Sequence, residues 1–83
     1  MRLKDITGRW DSNKFYKGKH KKFECRINYS SNLDSWYYCI DSNDERDIRY
    51  NSLWDGIEFK TKEDCIEACQ KYIDGVLKNA KIS

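Results

Sequence analysis

Eleven residues near the C-terminal end, Phe59 to Cys69 (F-K-T-K-E-D-C-I-E-A-C), constrain the fold more than any other stretch. Thr61 followed three residues later by Asp64 is a capping-box variant: the hydroxyl accepts from an early helix N–H, and the acid sits at the positive end of the helix dipole. Cys65 and Cys69 are one helical turn apart and share a face. Tyr72, Ile73 and Val76 extend that face, so the spacing predicts a helix over residues 62–78 whose buried stripe carries two cysteines.

A chain of 83 residues is one domain, too short to bury much apolar surface without staples. Hydrophobic residues make up 39% and charged residues 36%, so the core is small and its aromatics supply most of the buried area. Four cysteines are an even set in a short chain, which favours two disulfides, an oxidising compartment and a secreted protein. Zinc is the rival reading, but Cys25, Cys39, Cys65 and Cys69 contain no C-x-x-C knuckle. Three pairings of four cysteines are open at this point. No apolar run is long enough to span a membrane, and residues 1–20 lack a signal-peptide core, so a mature secreted domain is expected.

Charge is unevenly spread. Residues 1–22 carry +6 and residues 23–83 carry −4, within a formal net charge of +2. The basic arm includes Lys14, Lys17, Lys19, Lys21 and Lys22, with Gly18 loosening the backbone; it suits a heparin-like polyanion or an acidic protein surface, and a solvated terminus is the plainer reading. Trp10, Phe15 and Tyr16 imply that part of it packs on the domain. Trp36-Tyr37-Tyr38-Cys39-Ile40 and Ile48-Arg49-Tyr50 flank the polar turn Asp41 to Asp47, and the pair is expected as a β-hairpin after an irregular cysteine-bearing loop. The expected plan is a basic N-terminal arm (1–22), a folded domain (23–78) and a short tail (79–83).

Cys25 in E-C-R, the aromatic strand at Trp36 to Tyr38, the D-S-N turn, Tyr50-Asn51 and F-K-T-K-E-D-C-I-E-A-C together resemble the Kunitz family, over roughly residues 23–72, and in particular the divergent Kunitz-like salivary proteins of blood-feeding ticks. The resemblance implies a small, disulfide-rich α+β fold, a twisted β-hairpin with a C-terminal helix. Family pairing implies Cys25 to Cys69. The family's third cysteine is absent from the second strand, and Cys39 on the first strand is expected to take its place opposite Cys65.

The family bridge that braces the protease-binding loop is missing both cysteines. The corresponding loop, R-I-N-Y-S-S-N-L-D-S, is short, and its specificity position falls near Asp34 or Ser35, neither suited to trypsin. Asn28, Tyr29, Leu33, Asp34 and Ser35 are therefore read as a former protease-binding loop, with Asn28 in an N-x-S sequon. Loss of preorganisation argues against standard protease inhibition.

No catalytic set is legible. His20, the one histidine, lies among lysines, and Asp41, Asp44, Glu45 and Asp47 lack an EF-hand pattern. Trp54, beside Asp55 and Gly56, is read either as an exposed interface aromatic or as cover for the core. The expected function is that of a monomeric secreted effector binding a host protein, as an ion-channel modulator on potassium channels or an antihaemostatic binder of a coagulation protein or receptor. An atypical protease inhibitor is the alternative. No enzyme activity, metal, cofactor, nucleic-acid partner or membrane insertion is expected.

Overall fold

The computed structural model describes residues 1–42, Glu45 and residues 47–82. Among them, five antiparallel strands form one meander in the order β1 (Lys4–Asp5), β2 (Lys14–His20), β3 (Phe23–Ser30), β4 (Ser35–Asp41) and β5 (Arg49–Asn51). A single 3-10 turn at Ser52–Asp55 follows, and the helix α1 (Lys62–Ile82) packs on β3 and β4. The class is α+β and small, as the sequence implies, but the sheet is larger than a hairpin.

The helix forms where its start signal lies. Thr61 Oγ1 accepts from the Asp64 N–H at 3.1 Å, and Glu63 and Asp64 occupy the first turn. Cys65, Cys69 and Ile73, spaced four apart, are each fully buried and face Phe23, Cys25 and Ile27 of β3 with Tyr38 and Ile40 of β4. Each large aliphatic or aromatic side chain sealed there contributes roughly 1.5–3 kcal/mol. Tyr72 lies flat on Tyr50, with centroids 4.4 Å apart and 9° between the planes, which carries the core to the β5 edge. Ahead of the helix, Phe59 and Trp36 exchange both backbone hydrogen bonds, at 2.8 and 2.9 Å, fixing the crossing segment to the start of β4. The helix continues beyond Lys78, so residues expected as a tail extend it.

The expected hairpin exists as β4 and β5, with Ile40 opposite Tyr50. Ser42 closes its base, donating its N–H to the Ile48 carbonyl and accepting the Ile48 N–H on Oγ, both at 2.9 Å. Within the acidic turn above it, Asn43, Asp44 and Arg46 lie outside the described residues.

Two segments fold differently from expectation. The cysteine-bearing stretch expected to be irregular is β3, the central strand, because F-E-C-R-I-N alternates apolar and polar; it pairs with β2 over residues 23–29 and with β4 over residues 24–30. The basic arm contains β1 and β2. Gly18 does not loosen it; a Cβ there would lie 2.7 Å from the Arg2 carbonyl oxygen and 2.9 Å from Leu3 Cδ2, so the missing side chain admits the N-terminal segment. The β2–β3 turn places Lys21 and Lys22 at φ 49° and 72°, left-handed conformations usually given to Asn and Gly in such turns.

Candidate functional site

Strand alternation divides the sheet into two faces. Phe23, Cys25 and Ile27 turn toward α1, and the residues between them turn away. Pairing of Arg26 with Lys17 and Cys39, and of Cys39 with Asn51, carries the outward set across four strands. Lys4 stands opposite Lys17, and Lys19 opposite Glu24, on the same side. Nothing among the described residues covers the centre of this face.

At that centre lies a hollow of about 500 Å³, lined by Phe15, Arg26, Asn28, Tyr37, Cys39 and Trp54 among others. Its volume is within the range of ordinary ligand pockets. The surrounding face is basic: Lys4, Lys17, Lys19, Arg26 and Arg49 outnumber the acids that share it. Lys17 Nζ lies 2.9 Å and Arg26 Nη2 3.8 Å from Glu24 Oε1, while Arg49 Nε lies 3.5 Å from Asp41 Oδ2 and 3.6 Å from Asp47 Oδ1. These cations are about half exposed or more, so their pairs add little stability and leave the charges available to a partner.

Trp54 stands at the edge of the hollow, 69% exposed. It is held by local chemistry. Asn51 Oδ1 accepts the Leu53 N–H at 2.9 Å, buried Ser52 Oγ accepts the Tyr38 N–H at 3.1 Å, and Gly56 ends the turn at φ 69°. Tyr50 meets the Trp54 ring edge-on at 6.1 Å, and its hydroxyl donates to Asp55 Oδ2, a bond that raises the Tyr50 pKa to about 12.

Asn28 lies at the bottom, only 5% exposed. Its Nδ2 lies 4.0 Å from the Cys39 sulfur. Its Oδ1 is buried without a hydrogen-bond partner among the described residues. A glycan has no room at this sequon, because Asn28 is a buried residue of a strand paired on both sides.

The residues expected as partner-binding separate into three places. Lys17, Lys19 and Trp54 belong to the open side. Lys14 pairs with Tyr29 and so alternates with Tyr16 toward the helix side, where Lys62 Nζ sits 4.1 Å over the Tyr16 ring. Lys21 and Lys22 form the β2–β3 turn. There Lys21 Nζ and His20 Nε2 each lie 2.9 Å from Asp74 Oδ1, and these two contacts hold the Asp74 carboxyl below its usual range.

The stretch expected as a former protease-binding loop is not an extended loop. Asn28 and Tyr29 belong to β3, Leu33 and Asp34 to the tight turn, and Ser35 begins β4. Tyr29 hydroxyl donates to Asp34 Oδ1, and Ser35 Oγ donates to the Leu33 carbonyl at 3.1 Å, so the turn is tied down from both strands. Arg26, Arg49 and Tyr37 were absent from the expected site residues, and Asn28 was expected only as part of the former protease-binding loop; the alternation of F-E-C-R-I-N was the signal that placed Arg26.

All four cysteines are thiols here. Cys25 Sγ lies 3.7 Å from the Phe23 carbonyl oxygen, and the neighbouring Cys25 thiol, with burial, raises the Cys69 pKa. Burial pushes Cys65 up to about 12 and also raises Cys39. Cys39 does not meet Cys65 as expected, because the register turns Cys39 to the open side with Arg26 while Cys65 lies under the helix on the other side of the sheet. No group of three or more His, Cys, Asp or Glu among the described residues is arranged to hold a metal ion. No helix among them is long and apolar enough to cross a membrane.

No protein-family model matches the chain, and no curated protein or solved structure matches it.

Proposed function

We propose that this chain is a secreted protein-binding effector with no catalytic chemistry of its own, which engages an acidic patch on a host protein through the open face of its sheet. One observation carries the reading: the helix-side face is filled by α1, whereas the opposite face presents cations around an aromatic hollow and has no cover among the described residues. Exposed aromatic and arginine side chains are the residue types that dominate protein interfaces, and excess positive charge steers an acidic partner. The Kunitz resemblance supplies the partner classes, an ion channel with an acidic outer mouth or an antihaemostatic target such as a coagulation protein. The tied strand-turn-strand at residues 28–35 supports loss of standard protease inhibition.

A Cys25–Cys69 disulfide, the pairing that the Kunitz resemblance implies, would suit secretion, and both side chains are buried in the same core cluster. Oxidation there adds about 4 kcal/mol in the chain-entropy account.

Potassium-channel current and plasma clotting time, read in parallel with the intact chain and two variants, test the reading. Lys17→Glu with Arg26→Glu should weaken whichever effect is present by at least about tenfold, while Lys21→Glu with Lys22→Glu should change it less than about threefold. Loss of the effect in the turn variant and its retention in the face variant would move the binding site off the open face.

A further inference from the structure

The cations of the open face outnumber its acids, but the lining of the hollow does not share that excess. It holds Arg26 and Arg49 against Glu24 and Asp41, so its formal charges cancel. Each is also engaged with its opposite: Arg26 Nη2 lies 3.8 Å from Glu24 Oε1, and Arg49 Nε lies 3.5 Å from Asp41 Oδ2. Asn51 Oδ1 is occupied by the Leu53 N–H at 2.9 Å, and Asn28 Oδ1 is enclosed beyond a ligand's reach. A charged ligand therefore gains no net attraction from this lining and must break existing contacts to be paired. The walls favour the opposite chemistry. Ile6 follows β1 and Trp54 follows β5, the two edge strands, and both line the hollow while 44% and 69% exposed; Phe15 of β2 and Tyr37 of β4 lie between them. Exposed apolar residues scattered singly need no explanation, whereas residues gathered from both edges of a sheet around one concavity mark a ligand groove. At about 500 Å³, the hollow is of a size that encloses most of a small molecule.

We infer that the hollow binds a neutral, ring-bearing apolar small molecule, at a site distinct from the protein contact made by the surrounding cations. The rings of Phe15, Tyr37 and Trp54 meet the ligand's rings stacked or edge-on, and Ile6 covers it from the opposite edge of the sheet. The two arginine–carboxylate pairs stay intact, because a neutral ligand asks nothing of either partner. Affinity comes from apolar area removed from water on both molecules.

The test uses the full chain and two fluorescent probes that share one ring system, neutral N-phenyl-1-naphthylamine and its anionic sulfonate, 8-anilinonaphthalene-1-sulfonate, titrated at physiological salt. The neutral probe is expected to saturate, to bind at least about fivefold tighter than the sulfonate, and to keep its affinity as salt is raised. Trp54→Ala and Ile6→Ala, each with the circular dichroism of the parent, should weaken it by at least about threefold. Trp10→Ala removes a tryptophan that is 90% exposed outside the lining and should leave the affinity within about 1.5-fold. Tighter binding of the sulfonate, weakened by salt, would overturn the neutral-ligand assignment and leave the acidic-partner reading standing. Equal weakening by Trp10→Ala and Trp54→Ala would reduce the binding to adsorption on any exposed tryptophan and overturn the site. Absence of saturable binding by either probe would overturn it as well, whatever the effect of Lys17→Glu with Arg26→Glu on channel current or clotting.

Discussion

Neighbouring residues of β3 live in opposite environments. Phe23, Cys25 and Ile27 are fully buried beneath α1, while Glu24, Arg26 and Asn28 surround an open hollow on the other side of the same backbone. The helix side is dominated by aromatics, aliphatics and three thiols that need no water. On the far side are ion pairs, an exposed tryptophan and a buried amide with an unmet acceptor. Period-two alternation thus lets one short strand hold the fold together with half its residues and display chemistry with the other half. In so small a domain, the packed side and the proposed binding side are separated by a single backbone layer.

Truncating a residue on each side should expose that difference. Ile27→Ala, with no exposed surface in the parent, should lose about 3 kcal/mol of stability in urea unfolding, from lost burial and the cavity left behind. Trp54→Ala, at 69% exposure, should stay within about 0.5 kcal/mol. Similar losses at both positions would mean that Trp54 belongs to the core and that the two sides are not distinct.

A smaller effect tests how the basic N-terminal segment joins the helix side. Gly18→Ala should cost about 2 kcal/mol, because the added methyl meets the Arg2 carbonyl oxygen at 2.7 Å and backbone cannot yield as a side-chain tip does. An unchanged unfolding midpoint would show that residues 1–3 ride loosely over β2, as a solvated arm would.

The helix was legible because its signals are local. Thr61, Asp64 and the four-residue spacing of Cys65, Cys69 and Ile73 lie within three turns and act where they are read. The β4–β5 pairing was legible from aromatic and alternating residues on either side of a polar turn. Strand β2 was hidden, because the apolar contact above Gly18 is supplied by Met1 and Leu3 from a distant part of the chain, leaving a lysine-rich string with little visible pattern of its own. The open site was only partly legible for the same reason. Lys17, Lys19 and Trp54 stood out by type, but Lys14, Lys21 and Lys22 looked equivalent to them until register and the turn assigned them elsewhere. Cys39 shows the sharpest limit. Its distance along the chain from Cys65 permits a bridge, and only the parity of β4 sends its sulfur to the other side.

That parity is open to direct measurement. Native alkylation followed by non-reducing peptide mapping of the oxidised protein should recover Cys25 joined to Cys69, with Cys39 carrying the label. Recovery of a Cys39 to Cys65 bridge would place Cys39 beneath the helix and contradict the division of the sheet into a packed side and an open side.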